Sequence, residues 1–315
     1  MSPPPAAAVA ATLADVLPAN LRLGEPNVVG ALVAYPIFGV AGRAQYALLS
    51  EALGKGAALH EVVPPNVNRL RMDAPPNLRV LLFAGEEVIG AKQNRIVNAT
   101  VVIGASESAE IPVSCIEHGR WSRDKERDPM RSSTQVAFTS LRGTLHDMVS
   151  ESRVRGRSYE SDQSRVWRDV ATTMGDHDIR SNTGAMTDVF AGKRASIDTV
   201  VDSVRLGEGQ LGLLAFVGGR FLSLDLVSSP AAWASLHPRI VSGHALEALR
   251  VAPTLPLAFS EAAAVLRRVA ALPTTSAAAP EGIGRELRAR ALGLQGAGVL
   301  LDGELVQLSV FPQAA

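Results

Sequence analysis

Residues 211–227 read LGLLAFVGGRFLSLDLV. Two apolar runs of strand length flank Gly218-Gly219. A two-residue Gly-Gly link is the signature of a tight antiparallel hairpin, because both central positions need a positive φ. The C-terminus repeats the arrangement: residues 298–301 lead into Asp302-Gly303 and out through residues 304–308. Two hairpins of like spacing are expected side by side in one sheet. Helical spacing frames them. Val166, Trp167 and Val170 mark a helix over residues 163–173, and Ile197, Val200, Val201 and Val204 mark another over 196–204. Ser229-Pro230 is a good N-cap and first-turn pair for a helix over 231–236, with a separate helix at 238–249. Ser260 reads as the N-cap of a helix over 260–272, and residues 273–280 as a flexible surface loop.

Toward the N-terminus the period shortens. Residues 28–37 read as one strand and 46–53 as a short helix. Residues 58–63, 68–72, 78–83, 95–103 and 111–116 read as short strands bounded by Pro, Gly, Asn or Ser. Strands so close together predict an antiparallel sheet folded over itself. From Arg120 to Arg168, eleven Lys/Arg interleave with seven Asp/Glu. Mixed signs favour a solvated connector, with a short helix near 141–149, over a nucleic-acid-binding stripe. The expected fold class is α+β. It comprises a flexible tail (1–20), a β-rich sandwich-like lobe (21–121), a polar connector (122–161) and an α+β lobe (162–315) with two hairpins framed by helices, in one compact body.

Composition narrows the function. Lys plus Arg and Asp plus Glu are 31 each, so nothing in the net charge draws the chain to nucleic acid or an anionic membrane. Cys115 is the single cysteine, which excludes an intrachain disulfide. No apolar run reaches membrane-spanning length and the start lacks a basic signal region, so a cytoplasmic location is expected. The six histidines have no metal-ligand spacing, and Asp176-His177-Asp178 has no evident further ligand, so no metal is expected. Gly207-Glu208-Gly209-Gln210-Leu211-Gly212 precedes a strand, not a helix, and is no dinucleotide fingerprint; no cofactor is expected.

Chemistry concentrates in two segments. Gly85 to Arg95 holds Glu86, Glu87, Lys92, Gln93, Asn94 and Arg95. Ile111 to Trp121 holds Ser114, Cys115, Glu117, His118, Arg120 and Trp121. Glu86, Glu87 and Glu117 are candidate general acids or bases. Cys115 is a second-choice nucleophile, its other reading being a small buried hydrophobe. Lys92 and Arg95 would neutralise an anion, with Gln93 and Asn94 reading hydroxyls or amides. Ser114, Arg120 and Trp121 complete the ligand-binding set. For Glu117 and Arg120 the structural alternative is a buried ion pair.

These segments resemble a bacterial domain family named for its association with ADP-ribosylglycohydrolases and rhodanese-like phosphatases. The resemblance rests on Gly85-Glu86-Glu87, Lys92-Gln93-Asn94-Arg95, and Ser114-Cys115 with Glu117, Gly119, Arg120 and Trp121. It runs on through Asp162-Gln163, Val166-Trp167, residues 212–229 and 244–249, covering roughly residues 22–312. It implies a neighbourhood of ADP-ribose or nucleotide-derived chemistry without a mechanism. The leading expectation is therefore a ligand-binding protein, with or without catalysis, for a small anionic compound of ADP-ribose or phosphorylated type. The alternative is a non-catalytic interaction module whose polar cluster is an internal ion-pair network. Nucleic-acid binding through residues 120–168 ranks last.

Overall fold

A computed structural model describes residues 11–90, 92–120, 129–253 and 257–313. The chain runs through β1 (Arg22–Leu23), β2 (Asn27–Val29), β3 (Leu32–Phe38), β4 (Ala47–Leu48), α1 (Leu49–Leu53), β5 (Ala58–Glu61) and β6 (Arg69–Asp73). Next come β7 (Val80–Leu82), β8 (Glu86–Ile89), β9 (Arg95–Val97), β10 (Val101–Ile103), β11 (Ser108–Cys115) and β12 (Arg131–Val136). Helices α2 (Thr139–Val154), α3 (Gln163–Asp176), α4 (Met186–Gly192) and α5 (Arg194–Ser203) follow. The remainder is β13 (Gln210–Val217), β14 (Arg220–Val227), α6 (Pro230–Ala248), α7 (Phe259–Ala270), β15 (Thr274–Ala278), β16 (Arg285–Ala291), β17 (Leu294–Leu301) and β18 (Glu304–Pro312). The fold is α+β.

The two hairpins meet as expected. Gly218 and Gly219 both have positive φ, at 58° and 75°, and β14 pairs β18, giving the run β13-β14-β18-β17. That run belongs to a nine-stranded sheet ordered β1-β3-β13-β14-β18-β17-β16-β15, with β2 also on β3. The edge of the second lobe thus reaches back to residue 22. The reason is burial on both faces: Leu32 and Ala34 pack into one core while Val33, Tyr35 and Ile37 pack into another. Residues 28–37 are accordingly not one strand but the hairpin β2–β3. The edge strand β15 stands where a loop was expected. Leu13 is fully buried beside Leu272, so the stretch after residue 11 is docked, not a loose tail.

A six-stranded sheet, β12-β8-β9-β11-β6-β5, and a three-stranded sheet, β10-β7-β4, form the other lobe. Val88, Val97 and Val113 from the first face Val80, Leu82 and Val101 from the second across a shared core, the sandwich-like packing expected. The connector is more ordered than its charge implied. It contains β12 and the 16-residue α2, whose Leu141, Leu145 and Met148 enter the central core. Helix α6 runs straight through Pro238, joining the two helices expected there. Its burial of Trp233, Leu236, Ile240 and Val241 offsets the roughly 3 kcal/mol that an interior proline costs. Its N-cap is Ser229, as read, accepting from the Ala232 N–H. Helix α7 begins at Phe259, with Ala258 instead of Ser260 as N-cap. Among the described residues no helix is long and apolar enough to cross a membrane.

Candidate functional site

Strand pairing brings the two polar segments together. β9 lies between β8 and β11, with Val88 opposite Arg95 and Arg95 opposite Cys115. Gly119 allows the second segment to close on the loop before α4: its N–H donates to Thr183 O at 2.7 Å, and a Cβ would sit 2.9 Å from Thr183 Cα. Around this seam Glu117, 1% exposed, gathers donors. Its Oε2 accepts from Asn94 N–H at 3.1 Å and from Arg120 at 2.8 Å (Nε) and 2.6 Å (Nη2). Its Oε1 accepts from Thr183 Oγ1 at 3.2 Å. Arg120 also donates to Asn94 Oδ1, and Gln93 Nε2 to Glu117 O.

Arg95 turns to a different acid. Its guanidinium donates from Nη2 to both oxygens of Glu61 at 3.1 Å, while Nε donates to Val67 O. Glu61 also accepts from the Lys92 N–H at 3.3 Å. Glu61 had only one signal in sequence, a carboxylate closing the apolar strand β5. Ser114 Oγ donates to Asn98 Oδ1 at 2.6 Å and contacts Ser161 Oγ at 2.5 Å, pinning β11 internally.

Glu86 leaves the group altogether. It is fully buried, and its Oε1 accepts from Ser132 Oγ at 2.7 Å and Arg239 Nη2 at 2.9 Å, tying β8 to β12 and α6. Gly85 sets that path with φ 84°, where a Cβ would meet the Arg142 side chain at 2.8 Å. Glu87 is likewise fully buried. Among the interactions of the described residues, Glu86 pairs with Arg239, Arg95 with Glu61 and Glu117 with Arg120, so these groups gather in three knots, centred on Glu86, Glu61 and Glu117. Trp121 lies outside the described residues.

Cys115 sits among these knots with its backbone clamped by Gln163, whose Oε1 accepts from the Cys115 N–H at 2.8 Å and whose Nε2 donates to the Cys115 carbonyl at 2.7 Å. Its side chain is fully buried, and burial pushes the thiol pKa up, with hydrogen bonds from the Glu117 backbone and Trp167 and the Arg95 charge only partly opposing. A sealed, protonated thiol lacks both access and ionisation for attack. The buried-hydrophobe reading fits it better than the nucleophile reading.

The open space lies one residue along. His118 and Gly184 flank Glu117 and Thr183, and with Trp167, Arg168, Ser164 and Met174 they line a hollow of about 390 Å³. Helix α3 supplies its wall: Asp162 caps the helix, Val166 and Val170 enter the core, and Gln163 and Trp167, one turn apart, face the Cys115 side. The His118 and Trp167 rings meet edge to face at 4.3 Å. The indole Nε1 of Trp167 is buried, and its N–H is directed at Cys115, where it favours the thiolate. The sequence showed Trp167 as a helical core position and as part of the family resemblance, not as the wall of a hollow.

A second buried network was not legible at all. Asp225, fully buried on β14, accepts from Arg142 Nη1 at 3.1 Å and Nη2 at 2.5 Å, and from Ser309 Oγ at 2.6 Å. Burial alone would raise its pKa, yet the Arg142 charge and hydrogen bonds hold it below the ordinary value. Ser223 Oγ donates to Asp225 at 3.1 Å and lies 3.4 Å from His244 Nε2. With its proton committed, Ser223 can only accept from His244. The neutral ring therefore carries its proton on Nε2, and Thr139 donates to Nδ1 at 2.7 Å. Among the described residues no group of His, Cys, Asp or Glu is arranged to hold a metal ion.

No curated protein and no solved structure matches the chain. A family model does, over residues 20–311, and this span takes in both lobes, all three knots and the Trp167 hollow. The chain belongs to the ARPP-1 family, the ARG and Rhodanese-Phosphatase-superfamily-associated Protein domain.

Proposed function

We propose that the protein binds a small anionic compound carrying a planar ring, of the ADP-ribose or nucleotide type, in the hollow beside Glu117. The carrying observation is the pairing of an aromatic wall, Trp167 with His118, with the Arg168 guanidinium at one opening of about 390 Å³. A base stacks on an aromatic face for about 1–3 kcal/mol. Arg168 supplies charge for a phosphate. The volume lies within the range of small-ligand sites. The family's name, which ties it to ARG and rhodanese-phosphatase proteins, points to the same chemistry. Were a bound compound turned over, Glu117, one residue from the His118 wall and held by Asn94, Arg120 and Thr183, is the nearest candidate acid or base in sequence.

Titration of Trp167 fluorescence with ADP-ribose, ADP and ribose tests the reading. Saturable quenching by the first two, absent with ribose and lost in Arg168→Glu and Trp167→Leu, is expected. Flat titrations with all three compounds would defeat it.

A second reading is favoured by the completeness of the Glu86 and Glu61 knots. Both acids are bound by buried arginines, and each knot joins elements distant in sequence. On this view the polar segments lock the six-stranded sheet to α6 and to its own edge. Glu86→Gln would then lower the melting temperature and leave any ligand titration unchanged.

A further inference from the structure

The nine-stranded sheet carries a charged face of its own. Along β16, Leu287 and Ala289 enter the core, so Glu286, Arg288 and Arg290 share the opposite face. Helix α2 brings the stripe His146, Ser150 and Arg153 against it. Between helix and sheet lies an open groove of about 590 Å³. It exists because the cross-strand neighbours of Arg288 are small: Thr275 on β15 and Ala297 on β17.

Charge in the groove is unbalanced. Arg153, Arg288 and Arg290 line it against the single carboxylate of Glu286. Glu286 Oε1 is taken by Arg153, which donates from Nε at 2.8 Å and Nη2 at 2.5 Å. Arg288 keeps a long contact to Glu286 Oε2 at 3.4 Å and one bond from Nη1 to Ser150 Oγ at 3.0 Å. Its Nη2 donates no hydrogen bond among the described residues. Among the described residues Arg290 comes no nearer an acid than Asp147 Oδ1 at 3.9 Å. Ser150 accepts from Arg288 and retains its own proton to donate.

An independent observation lies behind the same wall. Glu286 and Arg288 also line an inner cavity of about 30 Å³, together with Arg142 and His146. Arg142 is 4% exposed, yet its Nε has no hydrogen-bond partner among the described residues. The protein therefore leaves polar capacity uncommitted on both sides of Arg288, in a region where an unmet buried polar group costs about 1–3 kcal/mol.

We infer that this groove is a binding site for the phosphate group of a small molecule. Arg288 Nη2 and Arg290 take phosphate oxygens, and the Ser150 and Thr275 hydroxyls lie beside them. The site is separate from the Trp167 hollow and does not depend on it.

Calorimetric titration of the full chain with pyrophosphate, with inorganic phosphate as a second probe, tests the inference. Saturable binding that weakens with salt is expected. Arg290→Glu, whose side chain is largely exposed, should weaken it by about tenfold or more without changing the melting temperature. Arg288→Lys keeps the charge but loses the fork, and should also weaken it. Trp167→Leu should bind pyrophosphate as the parent does. The inference fails if the parent shows no saturable binding at millimolar probe, if Arg290→Glu binds as tightly as the parent, or if Trp167→Leu abolishes binding.

Discussion

The Glu117 knot and the Asp225 knot are both buried carboxylates answered by an arginine, but they differ in reach. Glu117 collects its ligands from residues 94, 120 and 183, at the end of a strand and next to an open hollow. Asp225 collects Arg142 from 83 residues away and Ser309 from 84, in the seam between α2 and the nine-stranded sheet. Arg142 is 3% exposed at its side chain, whereas Arg120 is 10% exposed. The first knot therefore sits where a ligand can reach its neighbours, and the second where only the fold depends on it. Breaking each should separate the two roles.

The largest effect is expected at Asp225. Replacing it with Ala leaves the Arg142 guanidinium uncompensated in the core, which costs about 3–5 kcal/mol. The double replacement Arg142→Met with Asp225→Leu removes both charges and should recover much of that loss, because desolvation no longer opposes folding. Urea unfolding of the parent, single and double variants reads the cycle. A double variant as unstable as the single would mean that the network holds α2 by geometry and not by charge balance.

Acidification should strike the same seam. Burial holds His244 down to about 4, and His237 likewise, while His146 falls to about 3. Between those values and the ordinary 6.5 the unfolded chain binds protons that the native chain refuses. Stability should thus be flat above pH 6.5 and fall as the pH drops toward 4, by about 1.4 kcal/mol per unit for each imidazole. Asp225, whose pKa is lowered, contributes in the same direction at still lower pH. His118, exposed beside Glu117, gives the first knot no such buried imidazole. His244→Asn should flatten the slope between pH 6 and 4.5 by about one imidazole's worth. An unchanged slope would place the acid sensitivity elsewhere.

An intermediate effect is expected at Glu117. Glu117→Gln keeps the shape and weakens the pairing to Arg120, whose guanidinium still reaches Asn94 Oδ1 at 3.2 Å and retains some contact with solvent. The loss should be about 1–3 kcal/mol, less than at Asp225. If Glu117→Gln costs as much as Asp225→Ala, the two knots are alike and the open hollow gives the first no special standing.

What the sequence revealed follows the same division of near from far. Gly218-Gly219 marked its hairpin because the turn's φ values demand glycine, a local cause. Ser229-Pro230 marked the start of α6 for the same kind of reason. Residues 95–103 gave no such mark, and they divide between two sheets at Asn98-Ala99-Thr100. Side chains there replace the ladder: Asn98 Nδ2 donates to Tyr159 O at 2.9 Å, and Thr100 Oγ1 accepts from the Ala84 N–H at 3.1 Å. Those partners are set by tertiary packing. Lys92, Asn94, Arg95, Glu117 and Arg120 were recognisable as dense polar clusters between and at the ends of apolar strands. Their partners were not: Arg95 turns to Glu61 and the neighbouring Glu86 to Arg239, and both partners lie on other elements.

The smallest effect is expected at the surface, and it calibrates the rest. Lys55 Nζ donates to Glu51 Oε1 at 2.6 Å across one turn around α1, a shorter separation than the buried Arg95–Glu61 and Arg239–Glu86 pairs show. Both side chains are more than half exposed, so water already solvates each charge and salt screens the pair. Lys55→Ala should therefore change stability by less than about 0.5 kcal/mol in urea unfolding. Distance alone would rank this pair with Arg142–Asp225. A cost above about 1 kcal/mol would mean that proximity and not desolvation governs charge pairs in this fold, and the contrast drawn between the Glu117 and Asp225 knots would lose its basis.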